Sequence, residues 1–328
     1  MNIDMIRAAA RRLEGHIRHT PLFHSPFLDE LAGRRVWVKA ECLQHTGSFK
    51  YRGALSAISA LAPENRAKGI LAYSSGNHAQ GVALAARQVG APAVIIMPAD
   101  APRIKIGNTR ALGAEVVLYN RVAGEDREAI GAGLAEERGL TLIRPFDNAQ
   151  VIAGQGTTGL EIAQAAAAAG IAQADVVVCC GGGGFASGIA LALEAEAPGL
   201  RVRPAEPAHF DDMARSLRSG TRLSNAATSG SLCDAIISPT PGELTFPILQ
   251  RLAGPGLVVT DDEALHAMAV AFNMLKVVAE PGGAVALAAA LFQAQAFETE
   301  DVIVTISGGN VDAEVFQMAL SRFGADHA

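Results

Sequence analysis

Aromatic side chains are scarce, with one Trp, three Tyr and twelve Phe among 328 residues. Charged residues make up only 18% of the chain, while 50% is apolar and 34 residues are glycine. That much apolar surface excludes a disordered chain. Small side chains with frequent glycine suit a buried parallel sheet, packed by small-residue helices and joined by short loops. Positive charge is not in excess: 27 Lys and Arg stand against 33 Asp and Glu, for a net charge of −6. This argues against a nucleic-acid partner but leaves room for a small anion at a local site. Cysteine is limited to positions 42, 179, 180 and 233, with no C-x-x-C pair, so reduced core thiols are expected. No apolar run is long enough for a bilayer span. The segment from Met1 to Leu13 mixes acids, arginines and alanines and lacks the apolar stretch of a secretory signal. A soluble cytoplasmic protein without a membrane partner is expected.

Two periodicities alternate along the chain. Short β-branched runs read as strands: Val36 to Val38, Ile70 to Ala72, Val94 to Met97, Val116 to Leu118, Val176 to Cys180, Leu257 to Thr260 and Val302 to Ile306. Ala-rich amphipathic stretches between them read as helices: 53–61, 78–89, 103–112, 125–138, 156–169, 187–196 and 262–275. Strand alternating with helix is the signature of an α/β fold with open, twisted, mostly parallel sheets flanked by helices. The regular units from about 69 to 146 form one unit, and 1–68 with 147–328 form the other. In such sheets ligands sit beyond the carboxyl ends of strands.

Four loops at strand or helix ends carry candidate chemistry. In Ser48-Phe49-Lys50-Tyr51-Arg52-Gly53, Lys50 sits against Phe49 at the entrance to a helix. A lysine held against apolar neighbours loses hydration, its pKa falls, and its amine becomes a nucleophile. Ser74-Ser75-Gly76-Asn77-His78 joins a strand to a helix and offers hydroxyl, amide and backbone N–H donors; helix capping alone would also explain it. Gly181 to Gly184 open a helix after a strand and can cradle an anion. The same run half-matches a dinucleotide fingerprint through Gly181, Gly183 and Ala186, with Glu206 near the distance of a ribose-binding acid. A nicotinamide-dependent oxidoreductase is therefore open on this loop taken alone. Ser307-Gly308-Gly309-Asn310 follows the last strand.

Together with Thr20-Pro21-Leu22, Val151 to Thr157 and Glu280-Pro281, these motifs run in one order over nearly the whole chain. In that order the sequence resembles the fold-type II pyridoxal-phosphate enzymes, the tryptophan-synthase-β-like family, and within it the serine/threonine dehydratase and serine racemase branch. The resemblance implies pyridoxal 5'-phosphate as cofactor, a large cofactor-binding domain (1–68 and 147–328) and a small substrate-closing domain (69–146). Lys50 would bond to the cofactor aldehyde, and Phe49 would pack beside the ring. Asn77 would meet the ring hydroxyl, Gly181, Gly182, Gly183 and Gly184 the phosphate, and Ser307 the pyridine nitrogen. A neutral hydroxyl there makes the ring a weaker electron sink, which suits β-elimination over transamination. Ser74, Ser75, Gly76 and His78 would bind the substrate carboxylate, and Ser75 would also act as acid/base on the opposite face of the ring. Arg127 matches a substrate-side arginine of the racemase-like relatives.

The activity implied is an ammonia-lyase converting L-threonine and/or L-serine to a 2-oxo acid and ammonia, in a homodimer or higher homo-oligomer. The alternatives are a 3-hydroxyaspartate dehydratase or a serine racemase. Tyr51, Tyr73 and Ala235 depart from the family pattern and bear on the substrate, whereas Pro145-Phe146-Asp147 leans towards the threonine dehydratases. The chain ends soon after Ser307, so feedback control through an added C-terminal domain is not expected. His16, His19 and His24 are too loosely spaced to read as a metal cluster. The relatives also imply a structural divalent cation (Mg, Mn or Ca) held by Glu206, the Phe210 carbonyl and Asp212. Oxygen donors at i, i+4 and i+6 suit such an ion. Glu206 is expected to have no helix-capping role, while Asp211 and Asp212 could simply favour the first turn of a helix.

Overall fold

A computed structural model describes residues 1–325 apart from Ser75, Pro102, Arg121, Val122 and the side chain of Ile104. Among the described residues ten strands form two sheets. The larger contains β1 (Leu22–Phe23), β2 (Arg35–Ala40), β7 (Ala174–Cys179), β8 (Leu200–Pro207), β9 (Leu257–Val259) and β10 (Asp301–Ile306). Their order is β1-β2-β10-β7-β8-β9. Only the β1–β2 pair is antiparallel. The smaller sheet is wholly parallel, in the order β5-β4-β3-β6, from β3 (Ile70–Tyr73), β4 (Ala93–Pro98), β5 (Glu115–Tyr119) and β6 (Thr141–Leu142).

Every run expected as a strand overlaps one, with Cys180 and Thr260 just beyond the ends of β7 and β9; the short β1 and β6 were not among them, nor was the eight-residue β8. Its sequence, Leu200-Arg-Val-Arg-Pro-Ala-Glu-Pro, interleaves arginine and proline and breaks the apolar pattern. Tertiary contacts make the strand possible. Arg203 donates to the carbonyls of Pro255 and Ala296 and pairs with Asp175, while its guanidinium lies over the Phe297 ring.

The long helix Ala149–Ala168 starts seven residues before the expected position. Asn148 caps it, accepting from the N–H groups of Gln150 and Val151. The glycines in its first turns permit close helix contact. A Cβ on Gly188 of the helix Gly184–Glu196 would lie 2.4 Å from the Ile152 carbonyl oxygen. Small residues serve the core elsewhere too: the helix Pro281–Phe292 is buried from Pro281 through Ala290. An all-round apolar helix must be enclosed by other elements. No helix among the described residues is long and apolar enough to cross a membrane.

Candidate active site

The carboxyl ends of β3, β7 and β10 carry the loops 74–78, 181–184 and 307–310. The first two line a cavity of about 300 Å³ between the sheets, with Phe49, Lys50, Phe146 and Glu280. Lys50 is the first residue of the helix Lys50–Ser59, and its Nζ lies 3.5 Å from the Pro145 carbonyl oxygen and 5.0 Å from the Phe49 ring centre. Burial pushes its ammonium down to about 8, with the Glu280 carboxylate opposing that shift. The amine is therefore a usable base and nucleophile near neutral pH. Phe49 itself stacks on Phe185, with ring centres 3.9 Å apart and planes at 14°.

Two helices begin in the same cavity lining, and among the described residues neither has a side-chain cap. The helix Asn77–Gln88 begins behind Gly76, and the helix Gly184–Glu196 behind Gly183. Uncapped N-termini leave N–H donors and positive potential for an anion. Among the described residues no side chain caps the helix after the 74–78 loop; Ser74 Oγ accepts from the Gly76 N–H instead. The glycines at the second helix are sterically required. Gly183 has φ +90°, and a Cβ on Gly182 would strike the Phe146 ring at 2.3 Å. The Gly182 carbonyl accepts from Thr245 Oγ1 at 2.6 Å and from the Gly242 N–H at 3.2 Å, so its acceptor capacity is met within the protein.

The 307–310 loop is tied to the lysine segment. The Phe49 N–H donates to the Ser307 carbonyl at 3.2 Å, and the Gly309 N–H to the Gly47 carbonyl at 2.9 Å. The Ser307 hydroxyl lies against the thiol of Cys179, which lines the cavity. Asn77 donates to Glu280 Oε1 at 2.5 Å.

His78 is placed differently from the expectation. Its Nε2 lies 2.9 Å from the Ile143 carbonyl oxygen, which can only accept, so Nε2 carries the proton. Burial pushes the ring down to about 4, with the Lys50 charge adding to the shift. A neutral ring with Nε2–H committed leaves only an acceptor, Nδ1, which cannot bind a carboxylate. His78 anchors the loop instead, and the open helix N-terminus is the better carboxylate site. Ser75 lies outside the described residues.

Arg127 is exposed, in the first turn of the helix Arg127–Arg138, and it lines the cavity. Lys105 lines it as well, from the helix Arg103–Ala111, and sequence reasoning missed it. Among the described residues neither side chain makes a hydrogen bond or ion pair. Tyr73 also lines the cavity, packed so tightly on Gly131 that a Cβ there would meet its hydroxyl at 2.4 Å.

Arg52 was quoted only as part of the lysine motif, yet it holds that motif in place. It is fully buried and bridges Glu41 at 2.8 Å and Glu161 at 2.6 Å. Lys39 pairs with the same Glu161, and Thr20 Oγ1 donates to Glu41 at 2.5 Å. The partners lie 11 and 109 residues from Arg52, beyond any local spacing rule.

Glu206 corrects another expectation, because it does cap a helix. It ends inside β8, buried, and its two oxygens accept from the N–H groups of Met213 (2.9 Å) and Ala214 (2.7 Å) in the helix Asp212–Ser219. Each of these oxygens keeps a second lone pair, so the cap leaves room for a further partner. The first oxygen of Asp212 accepts from Asn225 at 2.7 Å, while Oδ2 is buried without a partner. Burial pushes Asp212 up to about 6, and both burial and Asp212 push Glu206 well above the usual carboxylate range. Among the described residues no three His, Cys, Asp or Glu side chains form a metal cluster. Two carboxylates, one with an orphan oxygen, and the Phe210 carbonyl are oxygen donors of the kind a divalent cation takes.

A lowered lysine amine beside an N–H cradle suits a phosphorylated aldehyde. Comparison with known proteins agrees. Residues 13–309 match the family model described as pyridoxal-phosphate dependent enzyme. The chain is 42% identical to the L-threo-3-hydroxyaspartate ammonia-lyase of a Pseudomonas species, covering 97% of both chains. It is 38% identical to the L-threonine ammonia-lyase of Thermotoga maritima, over 98% of this chain and 79% of that one. The structure of maize serine racemase superposes with a TM-score of 0.89 at 34% identity, over 99% of this chain and 98% of that one. The chain belongs to the family of pyridoxal-phosphate-dependent enzymes, in its fold-type II branch of ammonia-lyases and amino-acid racemases.

Proposed function

We propose that the protein is an ammonia-lyase that removes water from L-threonine and L-serine, giving a 2-oxo acid and ammonia. The observation that carries the reading is the Lys50 amine, lowered to about 8 in a cavity that the starts of two helices without side-chain caps also line. The Gly181 to Gly184 backbone would hold the cofactor phosphate, Asn77 the ring hydroxyl and Ser307 the ring nitrogen. Bound pyridoxal phosphate supplies the electron sink that makes the substrate Cα–H acidic. Lys50, once released, takes the Cα proton. The N–H groups that begin the helix Asn77–Gln88 orient the substrate carboxylate, with Ser74 beside them. Loss of the β-hydroxyl as water leaves an enamine, which hydrolyses to the 2-oxo acid and ammonia. Pro145, Phe146 and Ile236 provide apolar walls that accommodate a methyl group. One methyl is worth about 1–3 kcal/mol of discrimination, so serine and threonine are both accepted.

A second reading, a 3-hydroxyaspartate ammonia-lyase, is favoured by Lys105 and Arg127. Two unpaired cations on the cavity wall would receive a second carboxylate. A panel of threonine, serine and L-threo-3-hydroxyaspartate, with 2-oxo acid detection, decides between them. If the second reading holds, Lys105→Met with Arg127→Met lowers kcat/KM for hydroxyaspartate by roughly 10–100-fold, as for a lost charged hydrogen bond. Threonine turnover then stays within about threefold of wild type, since no charged contact to it is lost. If hydroxyaspartate is not turned over, that reading is wrong; if no member of the panel yields 2-oxo acid, the lyase reading is wrong.

We also propose that Glu206, Asp212 and the Phe210 carbonyl hold a divalent cation. The supporting observation is the orphan Asp212 oxygen beside a second buried carboxylate. Such an ion stabilises by mass action, because only the folded chain assembles the ligands. A chelator is expected to lower the melting temperature, and Mg²⁺, Mn²⁺ or Ca²⁺ to restore it. Asp212→Asn, which keeps the Glu206 cap, removes the response. Unchanged melting in chelator, with no divalent ion on metal analysis, contradicts the site.

A further inference from the structure

Glu280 immediately precedes the helix Pro281–Phe292 and lines the cavity, yet the functional reading so far gives it no task. Its side chain is buried, and Oε1 accepts from Asn77 Nδ2 at 2.5 Å. At the other end of the same amide, Asn77 Oδ1 accepts from Asn310 Nδ2 at 2.8 Å. Asn310 is itself fixed by donating to the Thr46 carbonyl at 2.7 Å. An amide side chain has two N–H donors at one end and an acceptor at the other. The bonds at both ends therefore fix which way Asn77 faces and leave one N–H for a ligand. Turned over, Asn77 would set its oxygen against a carboxylate and its N–H groups against another donor.

The Glu280 backbone is pinned as well. Its N–H donates to the Gly308 carbonyl, and its own carbonyl accepts from Gly283 and Ala284. A Cβ on Gly308 would come within 2.1 Å of Glu280 Oε1, so that glycine lets the carboxylate reach Asn77.

We infer that Glu280 is a positioning residue for the cofactor ring: it locks the Asn77 amide so that the remaining N–H is offered to the ring hydroxyl. The inference rests on the reading that Asn77 meets the ring. The charged groups around Glu280 are Asp234, Lys105 and Lys50. Burial pushes its carboxyl up to about 7 against the Asn77 hydrogen bond; Asp234 adds to the rise and the two lysines oppose it. The acid form therefore prevails below about pH 7 and the carboxylate above it. Glutamine imitates the acid form in shape and charge, while alanine removes the lock.

The test uses wild-type, Glu280→Gln, Glu280→Ala and Asn77→Ala holoenzymes, each checked by melting. Visible spectra are recorded from pH 6 to 8, and dialysis against falling pyridoxal phosphate gives its dissociation constant. Glu280→Ala is expected to bind the cofactor about tenfold more weakly, the cost of one hydrogen bond in a buried site, and Asn77→Ala at least as weakly. The wild-type spectrum changes between pH 6 and 8, whereas Glu280→Gln keeps the low-pH wild-type spectrum throughout. Wild-type binding by Glu280→Ala, or a Glu280→Gln spectrum that follows pH as wild type does, overturns the inference. If Asn77→Ala also binds like wild type, the assignment of Asn77 to the ring fails with it. Should Glu280→Ala not fold, the Glu280→Gln spectrum decides.

Discussion

Lys50→Ala is expected to abolish turnover, with a loss of at least about 10⁴-fold, because proton transfer and covalent cofactor attachment both disappear. The cavity lining holds one other lysine, Lys105, and that one comes from the helix Arg103–Ala111 in the smaller-sheet unit. The visible absorbance of lysine-bound cofactor should vanish with the activity. The melting temperature should change little, since the amine's nearest polar contact is a 3.5 Å approach to the Pro145 carbonyl. Burying an ammonium costs free energy, so its removal is more neutral than most substitutions. Substantial residual turnover in this variant would mean that another amine does the chemistry.

Arg52→Met is expected to act on stability rather than chemistry. Removing one partner of a buried ion pair costs about 3–5 kcal/mol, because the remaining charge stays buried without compensation. Here Glu41 and Glu161 would both be left, with Lys39 the remaining cation. The melting midpoint should fall by roughly 5 °C. The loss has a pH signature. Burial pushes Glu161 up, but Arg52 and Lys39 outweigh it and hold the carboxyl below its usual range. Its contribution is therefore fully present above the unfolded-state value and is lost as pH falls through the folded-state value. Without Arg52, burial prevails and that carboxyl rises instead. The deficit of the variant should be largest near pH 7.5 and shrink towards pH 5, as read from denaturant midpoints. A deficit below about 1 kcal/mol, the worth of an exposed pair, would place Arg52 outside any structural role.

The strands β2, β3, β4, β5, β7, β9 and β10 were legible because continuous β-branched runs mark buried parallel strands. The site loops were legible for a related reason: in an open α/β sheet the residues after each strand are where ligands bind. What escaped the sequence depends on partners far along the chain. Arg203 makes β8 possible through Asp175 and the carbonyls of Pro255 and Ala296. Glu280 meets Asn77 across 203 residues, so its pairing with Pro281 alone could not disclose a task. Lys105 follows no strand directly, and only the fold brings its helix to the cavity wall. The capping role of Glu206 escaped the sequence because i, i+4 and i+6 spacing does not reveal that its carboxylate reaches the N–H groups of Met213 and Ala214. The expected helix began only at 156, whereas the observed one runs through Val151 to Thr157, where its glycines let neighbouring backbones nearly touch.

The central claim is that Lys50 is the residue bonded to pyridoxal phosphate. Borohydride treatment of the holoenzyme reduces the carbon–nitrogen double bond and fixes the cofactor to its lysine, so that digestion and mass mapping locate it. The account predicts a phosphopyridoxyl group on the peptide containing Lys50 and on no other lysine, with loss of label and visible absorbance in Lys50→Ala. A phosphopyridoxyl group on Lys105 or another lysine, or none at all in a yellow holoenzyme, would contradict it.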